Sequence, residues 1–241
     1  MPANLSPEYK TAEAAYRAAR EPRERLECLR EMLRTIPKHK GTDHLQADIK
    51  GRIAELTEEL TAARRGAART GPPTVIRPEG AAQIALLGPP NSGKSSLHHA
   101  LTSSHAAAGP YPFTTQFPQP GMLPFEDVAF QLVDLPPVTH EHPVPWLANA
   151  LQPADGALLI VDLSDPACVE QVARLHGLLL DRRVHLMPQW PRGLPPDLHD
   201  EDDPFAIRLP AALVVAKADL VADLAGEIAA FRDLTGLAYP E

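Results

Sequence analysis

One segment of the sequence has the residue types and spacing of a phosphate-binding loop. Residues 88–95 read Gly-Pro-Pro-Asn-Ser-Gly-Lys-Ser, which satisfies the pattern G-x-x-x-x-G-K-S/T. They follow an apolar run and open a helical one, so backbone N–H groups and the helix N-terminus can face phosphate oxygens. Lys94 can neutralise the outer phosphates, and the Ser95 hydroxyl can coordinate Mg²⁺. The two prolines after Gly88 remove two N–H donors, which leaves the amides from Asn91 onward to bind phosphate.

Two aspartates stand where later strands are predicted to end. Asp134 follows the apolar residues 129–133, where a carboxylate could hold Mg²⁺ through water. By itself a strand-end aspartate is more often a turn former, and only the phosphate-binding loop favours the metal role. Asp219 follows the apolar residues 211–215 and could accept hydrogen bonds from the ring N–H and exocyclic amine of guanine. Adenine does not offer that arrangement, so Asp219 favours a guanine nucleotide.

The elements that must position these residues follow from the apolar pattern. Beyond residue 80, strands are predicted over 83–87, 129–133, 157–163 and 211–215, and helices over 95–101, 168–181 and 219–234. This alternation predicts an α/β fold, with a mostly parallel sheet covered by helices on both faces. Residues 187–210 contain six prolines and an acidic group at 200–203, so they are predicted to form an exposed insertion.

The first part of the chain differs from the rest in charge and pattern. Residues 1–66 carry 13 basic and 11 acidic side chains, whereas residues 67–241 carry 10 and 20. Leucine and isoleucine recur every three or four positions over residues 26–36 and again over 45–60, with a helix stop at 37–41 between them. This pattern predicts an antiparallel helical hairpin, preceded by a shorter helix around 7–20. Glycines and prolines break this pattern afterwards. The predicted domains are therefore 1–66, helical, and 81–241, α/β, with a linker at 67–80.

The composition excludes several classes of protein. The chain has 241 residues, 44% hydrophobic and 22% charged, which is typical of globular domains. No apolar run approaches the ~20 residues that a membrane helix needs, so no membrane partner is expected. The N-terminus lacks the features of a secretion signal, and only Cys28 and Cys168 are present, which fits a reducing compartment. We expect a cytoplasmic protein, with no DNA partner.

Taken together, these motifs resemble the Obg-like translation-factor GTPases, most closely the developmentally regulated GTP-binding protein branch. Besides the phosphate-binding loop, residues 111–115, Tyr-Pro-Phe-Thr-Thr, are similar to that family's first switch. The similarity is also dense over residues 3–60, which resemble the helical segment before the family's GTPase domain. The resemblance implies a P-loop GTPase fold, Mg²⁺-dependent GTP hydrolysis and the ribosome as a partner.

The resemblance also assigns roles to individual residues. Thr115 matches the switch threonine that reaches Mg²⁺ and the terminal phosphate, and Asn91 matches an asparagine that helps hold K⁺ in a subset of these GTPases. The residues expected to act in catalysis are Lys94, Thr115 and Asn91. Those expected to contact GTP or GDP are Gly88, Asn91, Ser92, Gly93, Lys94, Ser95, Ser96, Lys217 and Asp219. The expected Mg²⁺ ligands are Ser95, Thr115 and Asp134, and His98, His99 and His105 are expected at the surface.

Three departures from the family pattern bear on activity. Pro137 stands where the family has a glycine whose N–H faces the terminal phosphate, which should weaken the distinction between GTP and GDP. No glutamine follows it, so hydrolysis should be slow. Ala216 replaces the asparagine that tethers the base loop to the phosphate-binding loop, so affinity should fall more than specificity. The sequence stops at Glu241, apparently entering the strand before the last guanine-contacting loop, so this domain is expected to be C-terminally incomplete, with an exposed sheet edge.

These departures leave a second interpretation open. The chain could be a degenerate GTPase domain that binds nucleotide, or nothing, and acts as an interaction module through its helical hairpin. An ATP-using protein is a more distant alternative, which Asp219 and residues 111–115 disfavour. A basic patch, Lys-His-Lys at 38–40 with Arg30 and Arg34, is either a solvated surface or a contact for ribosomal RNA phosphates.

Overall fold

The computed structural model describes residues 5–19, 21–37, 40–64, 74–102, 116–139, 141, 144–188, 203 and 205–240. The chain divides into two compact units, one formed by residues 1–71 with 199–204 and the other by residues 72–198 with 205–241. Residues 67–73 of the predicted linker lie outside the described residues. The domain borders drawn at residues 66 and 81 therefore stay predictions.

Three helices build the N-terminal unit: α1 (Pro7–Ala18), α2 (Pro22–Thr35) and α3 (Asp43–Arg64), the last preceded by a 3₁₀ turn at Lys40–Thr42. Both α1 and α2 begin with proline, whose missing N–H would have no partner at that position anyway. The Ser6 hydroxyl accepts from the Tyr9 N–H and donates to the Thr35 carbonyl, which ties the start of α1 to the end of α2. The predicted N-terminal helical region is confirmed.

The second unit contains a six-stranded sheet flanked by helices. Its strands are β1 (Gln83–Leu87), β2 (Gln119–Phe125), β3 (Val128–Asp134), β4 (Gly156–Asp162), β5 (Val184–Met187) and β6 (Ile207–Ala216). Its helices are α4 (Lys94–Thr102), α5 (Leu147–Leu151), α6 (Cys168–Leu180) and α7 (Leu224–Thr235). The strand order is β2-β3-β1-β4-β6-β5, and only the β2–β3 pair is antiparallel. The predicted α/β fold with a mostly parallel sheet is confirmed.

The strand β2 was not predicted from the sequence. It contains Pro120, Gly121 and Pro124, which interrupt the usual strand pattern. Proline is tolerated there because β2 lies at the edge of the sheet and pairs only with β3. Gly121 has a packing role, since a β-carbon at this position would lie 2.5 Å from the hydroxyl oxygen of Thr102 in α4.

The last helix begins later than the sequence predicted. A helix was predicted from residue 219, but α7 starts at Leu224. Lys217 has a left-handed backbone, with φ of 55°, and a 3₁₀ turn over Ala218–Leu220 follows it. The carboxylate of Asp223 then accepts from the Gly226 N–H and caps α7. The segment after β6 is therefore a turn, which leaves Asp219 outside regular α-helix.

The end of the described chain packs against β6. The Leu213 N–H of β6 donates to the Pro240 carbonyl at 2.7 Å, and Tyr239 is buried in the core. At this point the edge expected to be exposed is covered, which corrects the sequence-based expectation there. Within the described ranges, no helix combines the length and apolarity needed to cross a bilayer.

Candidate functional site

Lys94, the first residue of α4, lies inside the loop that precedes that helix. Its ammonium donates to the Gly88 carbonyl at 3.0 Å and to the Pro89 carbonyl at 2.7 Å. The residue is only 5% exposed. Burial lowers the pKa of Lys94 to about 8, and the negative charge of Asp134 opposes part of that shift. A buried cation is costly unless an anion compensates it, so this loop is suited to a phosphate group.

The backbone of the loop bends sharply around that ammonium. Asn91 and Gly93 have left-handed backbones, with φ of 57° and 96°. Gly88 is fixed by a close approach instead, since a β-carbon there would lie 2.2 Å from the carbonyl oxygen of Ile160 in β4. Any side chain at position 88 would therefore displace the loop from the sheet. The glycine spacing recognised in the sequence thus has a direct structural cause.

Two oxygen-bearing side chains that could bind a metal ion meet beside the loop. The Ser95 hydroxyl donates to the Asp134 carboxylate, with 2.6 Å between Oγ and Oδ2. The parallel pairing of β1 with β3 sets Leu86 opposite Asp134, which places the carboxylate at the strand end next to the loop. Hydroxyl and carboxylate oxygens are ligands that Mg²⁺ prefers, and this ion also keeps several waters. The pair therefore fits Mg²⁺, which would neutralise phosphate charge when bound.

The turn after β6 lies at the same end of the sheet. Lys217 donates from its ammonium to the Asp162 carboxylate at 2.7 Å, and Asp219 is exposed. A β-carbon on Gly93 would lie 3.1 Å from the β-carbon of Ala216, so the turn and the phosphate-binding loop are adjacent. Open parallel sheets bind their ligands at the carboxyl ends of the strands, which is where these two segments meet.

The structure thus brings together Gly88, Ser92, Gly93, Lys94, Ser95 and Asp134, with Ala216 against Gly93 and with Lys217 and Asp219 in the turn that follows Ala216. Asn91 and Ser96 are exposed at the loop and at the start of α4. Thr115 and the other residues of the predicted first switch, 111–115, lie outside the described residues. The roles given to all these residues stay predictions.

Comparison with known proteins agrees with this geometry. A family model described as 50S ribosome-binding GTPase matches residues 83–186. An uncharacterized GTP-binding protein of Halobacterium salinarum is 37% identical over 113 residues, which cover 47% of this chain and 30% of the relative. Developmentally-regulated G-protein 1 of Arabidopsis thaliana is 38% identical over 106 residues, which cover 44% of this chain and 26% of the relative. The resemblance to the Obg-like GTPases is confirmed.

The matched chain spans less than a third of the length of these two curated relatives. Among solved structures, Era of Aquifex aeolicus bound to GDP and aluminium fluoride is similar with a TM-score of 0.42 and 17% identity. That similarity covers 63% of this chain and 46% of Era.

The second unit buries the segment that follows Asp134. Residues 135–138, Leu-Pro-Pro-Val, are all buried, and Leu135 and Val138 belong to the same hydrophobic cluster as Leu147 of α5. Pro137 therefore combines the lack of an N–H with a fixed place in the core. Interiors are close-packed, so moving this segment would require its neighbours to repack. The weak distinction between GTP and GDP that Pro137 implies stays a prediction, and the burial of the segment supports it.

One buried polar residue near the site was mispredicted. His98 was expected at the surface, but it is only 1% exposed, and its Nε2 lies 3.2 Å from the Leu132 carbonyl oxygen of β3. The glycine at position 121 makes room for the ring, since a β-carbon there would lie 2.7 Å from the same Nε2. His99, by contrast, is exposed as expected, and His105 lies outside the described residues. The helical spacing alone could not reveal His98, because the strand that covers it was not predicted.

Proposed function

We propose that this protein binds guanine nucleotides with Mg²⁺ and hydrolyses GTP slowly. The observation that carries the proposal is the buried ammonium of Lys94, held at 3.0 and 2.7 Å by the carbonyls of Gly88 and Pro89. A phosphate entering the loop would give this cation the negative partner that its burial calls for. The adjacent hydroxyl and carboxylate of Ser95 and Asp134 support a divalent ion at the same place.

Each group in the site has a separate role in this proposal. Lys94 and the loop amides from Asn91 onward hold the phosphates, and Ser95 with Thr115 holds Mg²⁺. Asp134 supports the ion through water, since its carboxylate already accepts from the Ser95 hydroxyl. Lys217 lies against the base, and Asp219, exposed in the turn after β6, accepts from its ring N–H and exocyclic amine.

Hydrolysis in this proposal depends on position and charge more than on covalent chemistry, as phosphoryl transfer generally does. Slow turnover follows from Pro137, which has no N–H for the terminal phosphate, and from the lack of a glutamine after it. Asn91 would hold K⁺ against the phosphates and offset their charge. Turnover should then be faster in K⁺ than in Na⁺ buffer, and equal rates would remove this role of Asn91.

A second function is favoured by the burial of residues 135–138. If residues 135–138 stay fixed in the core, the domain would bind nucleotide without changing shape. Such a protein would act as an interaction module, with its N-terminal helices as the contact surface. A fold of this class supports either function, so the distinction must come from the site.

The proposal extends to partner and compartment. The family model that matches the domain is described as a ribosome-binding GTPase. We propose that the helical unit contacts ribosomal RNA through the basic residues 38–40 with Arg30 and Arg34, and that the protein is cytoplasmic. No DNA or membrane partner is proposed.

A calorimetric titration of the full chain with GDP, a non-hydrolysable GTP analogue and ATP tests these alternatives. Binding of both guanine nucleotides in preference to ATP supports the proposal. Because Pro137 removes one hydrogen bond to the terminal phosphate, we expect affinities for GDP and the analogue within about tenfold of each other. Indistinguishable affinities for GDP and the analogue, or no binding at all, would favour the interaction module, and a preference for ATP would overturn the guanine assignment.

A further inference from the structure

The ion pair between Asp162 and Lys217 joins two loops at the carboxyl end of the sheet. Asp162 is the last residue of β4, and the β4–β6 register sets it directly beside Ala216. Lys217, the next residue, therefore lies within reach of the Asp162 carboxylate. The distance from Nζ of Lys217 to Oδ2 of Asp162 is 2.7 Å. The pair is partly sheltered, since the side chains of Asp162 and Lys217 are 11% and 41% exposed.

The carboxylate of Asp162 is itself held in place by its own loop. Its second oxygen, Oδ1, accepts from the backbone N–H of Ser164 at 3.0 Å and from the Ser164 hydroxyl at 2.5 Å. Burial alone would raise the pKa of Asp162, but the hydrogen bonds from Lys217 and Ser164 outweigh it and lower the pKa. One oxygen thus anchors the carboxylate to the β4 loop, while the other holds Lys217. Because the carboxylate is hydrogen-bonded at both oxygens, its own position is fixed, and it can fix the position of the Lys217 side chain as well as balance its charge.

The phosphate-binding loop contacts both β4 and the end of β6. Gly88 lies against the carbonyl of Ile160 in β4, and Gly93 lies against the methyl group of Ala216. The ion pair between Asp162 and Lys217 joins β4 to the turn after β6. A methyl group offers no hydrogen bond, so the contact at Ala216 can exclude atoms but cannot fix the direction of the turn. The ion pair supplies a directed, charge-assisted bond on the other side of that turn.

We propose that Asp162 is a positioning residue for guanine recognition. By holding Lys217, whose backbone is left-handed, it fixes the turn that presents Asp219 to the base. It thereby replaces the tether between the base loop and the phosphate-binding loop that Ala216, which has no polar side chain, cannot form. The inference rests on the proposed function, because it assigns the turn after β6 to the base. It also implies that the loss of affinity expected from Ala216 is smaller than the missing amide alone would suggest.

The test compares Asp162→Asn with a matched control, Asp165→Asn. Both variants remove one negative charge at the end of β4 or just after it, but Asp165 accepts from Ala167 and Gln171 and is not the partner of Lys217. Calorimetry with GDP and with inorganic pyrophosphate, both with Mg²⁺, separates base recognition from phosphate binding. We expect D162N to bind GDP about tenfold more weakly, the size of one lost charge-assisted hydrogen bond, with pyrophosphate affinity unchanged. D165N should match the wild type for both ligands.

A rescue variant distinguishes a role of Asp162 in positioning the turn from a general role in stability, because only the first predicts that a new tether restores GDP affinity. An asparagine at position 216 would place an amide next to Gly93, where it can tether the turn to the phosphate-binding loop. In the D162N background, Ala216→Asn should restore most of the lost GDP affinity. In the wild-type background the same substitution should change GDP affinity by less than about threefold, because Asp162 already holds the turn. Measured in the wild-type background, Ala216→Asn therefore tests the proposal even if D162N does not fold.

Several outcomes would overturn the inference while leaving the proposed function intact. These are wild-type GDP affinity in D162N, an equal loss of GDP and pyrophosphate binding, or a gain of tenfold or more from A216N in the wild type. If the unmodified chain binds pyrophosphate but shows no preference for GDP, the guanine assignment fails and the inference falls with it. The two failures are therefore distinguishable in one set of titrations.

Discussion

Lys94 is the residue whose charge depends most directly on what occupies the site. Burial lowers its pKa to about 8, below the ordinary value for lysine. Between that value and the ordinary one, the unfolded chain binds more protons than the folded chain, so the nucleotide-free protein should gain stability as the pH rises from about 8. A bound phosphate favours the ammonium and raises the pKa of Lys94 again.

Nucleotide binding should therefore take up a proton at alkaline pH. We expect uptake on GDP binding at pH 8.5 that is clearly larger than at pH 7, where the Lys94 ammonium is already protonated in the free protein. The measurement is the binding enthalpy in buffers of different ionisation enthalpy, with Mg²⁺ present throughout. Equal uptake at the two pH values would mean that the phosphates do not approach this ammonium.

Gly88 supplies a second test at the residue scale. In Gly88→Ala, the added carbon would lie 2.2 Å from the Ile160 carbonyl oxygen, so the loop must move off β4. We expect a loss of at least about 2 kcal/mol in the free energy of unfolding and no measurable GDP binding. The control is Gly177→Ala in α6, where nothing lies within 4 Å of the added carbon. That exchange should stabilise the protein by roughly 0.5–1 kcal/mol, so a loss of similar size in both variants would contradict the crowding argument.

At the scale of elements, the sequence was sufficient wherever an apolar run was both buried and uninterrupted. The strand β1 is predicted to the residue, over Gln83–Leu87, and all five of its side chains are buried. The strand β2 was missed because proline and glycine are permitted at an edge for reasons that lie in its neighbours. The pairing of Asp162 with Lys217 was missed for a related reason, since the register of β4 on β6 brings together residues 55 positions apart.

The segment after α7 should behave as part of the core, although it has no regular secondary structure. Tyr239 is 3% exposed, its hydroxyl lies 3.2 Å from Nε2 of His176, and its carbonyl accepts from Arg232. Tyr239→Ala should therefore lower the free energy of unfolding by about 3 kcal/mol, from the cavity it leaves. Tyr239→Phe removes only the hydroxyl and should cost about 1 kcal/mol.

Urea unfolding followed by tryptophan fluorescence measures both effects, because Trp146 and Trp190 both belong to the second unit. Leu234→Ala is the matched control, since Leu234 in α7 is 71% exposed and its removal should change stability by less than about 0.5 kcal/mol. A Tyr239→Ala protein as stable as this control would mean that the segment is not packed in solution.

The first 66 residues and the rest of the chain carry net charge of opposite sign. Residues 1–66 have an excess of basic side chains and residues 67–241 an excess of acidic ones. Acidic side chains repel nucleic acid phosphates, so we assign the proposed contact with RNA to the basic residues of the N-terminal segment. This division also explains how a chain with a net charge of −8 could still associate with a ribosome.

The proposed RNA contact predicts a steep dependence on salt. If Lys38 and Lys40 each neutralise one phosphate, the affinity for purified ribosomes should fall about tenfold between 50 and 200 mM salt, and Lys38→Glu with Lys40→Glu should remove most of that dependence. A matched pair in the same unit, Lys10→Glu with Lys50→Glu, makes the same charge change on the exposed surfaces of α1 and α3. Because these two lysines lie outside the patch, their replacement should leave most of the salt dependence in place. If both pairs weaken binding equally, the attraction comes from the overall charge of the helical unit, whereas a salt profile unchanged by Lys38→Glu with Lys40→Glu would exclude the patch as the contact.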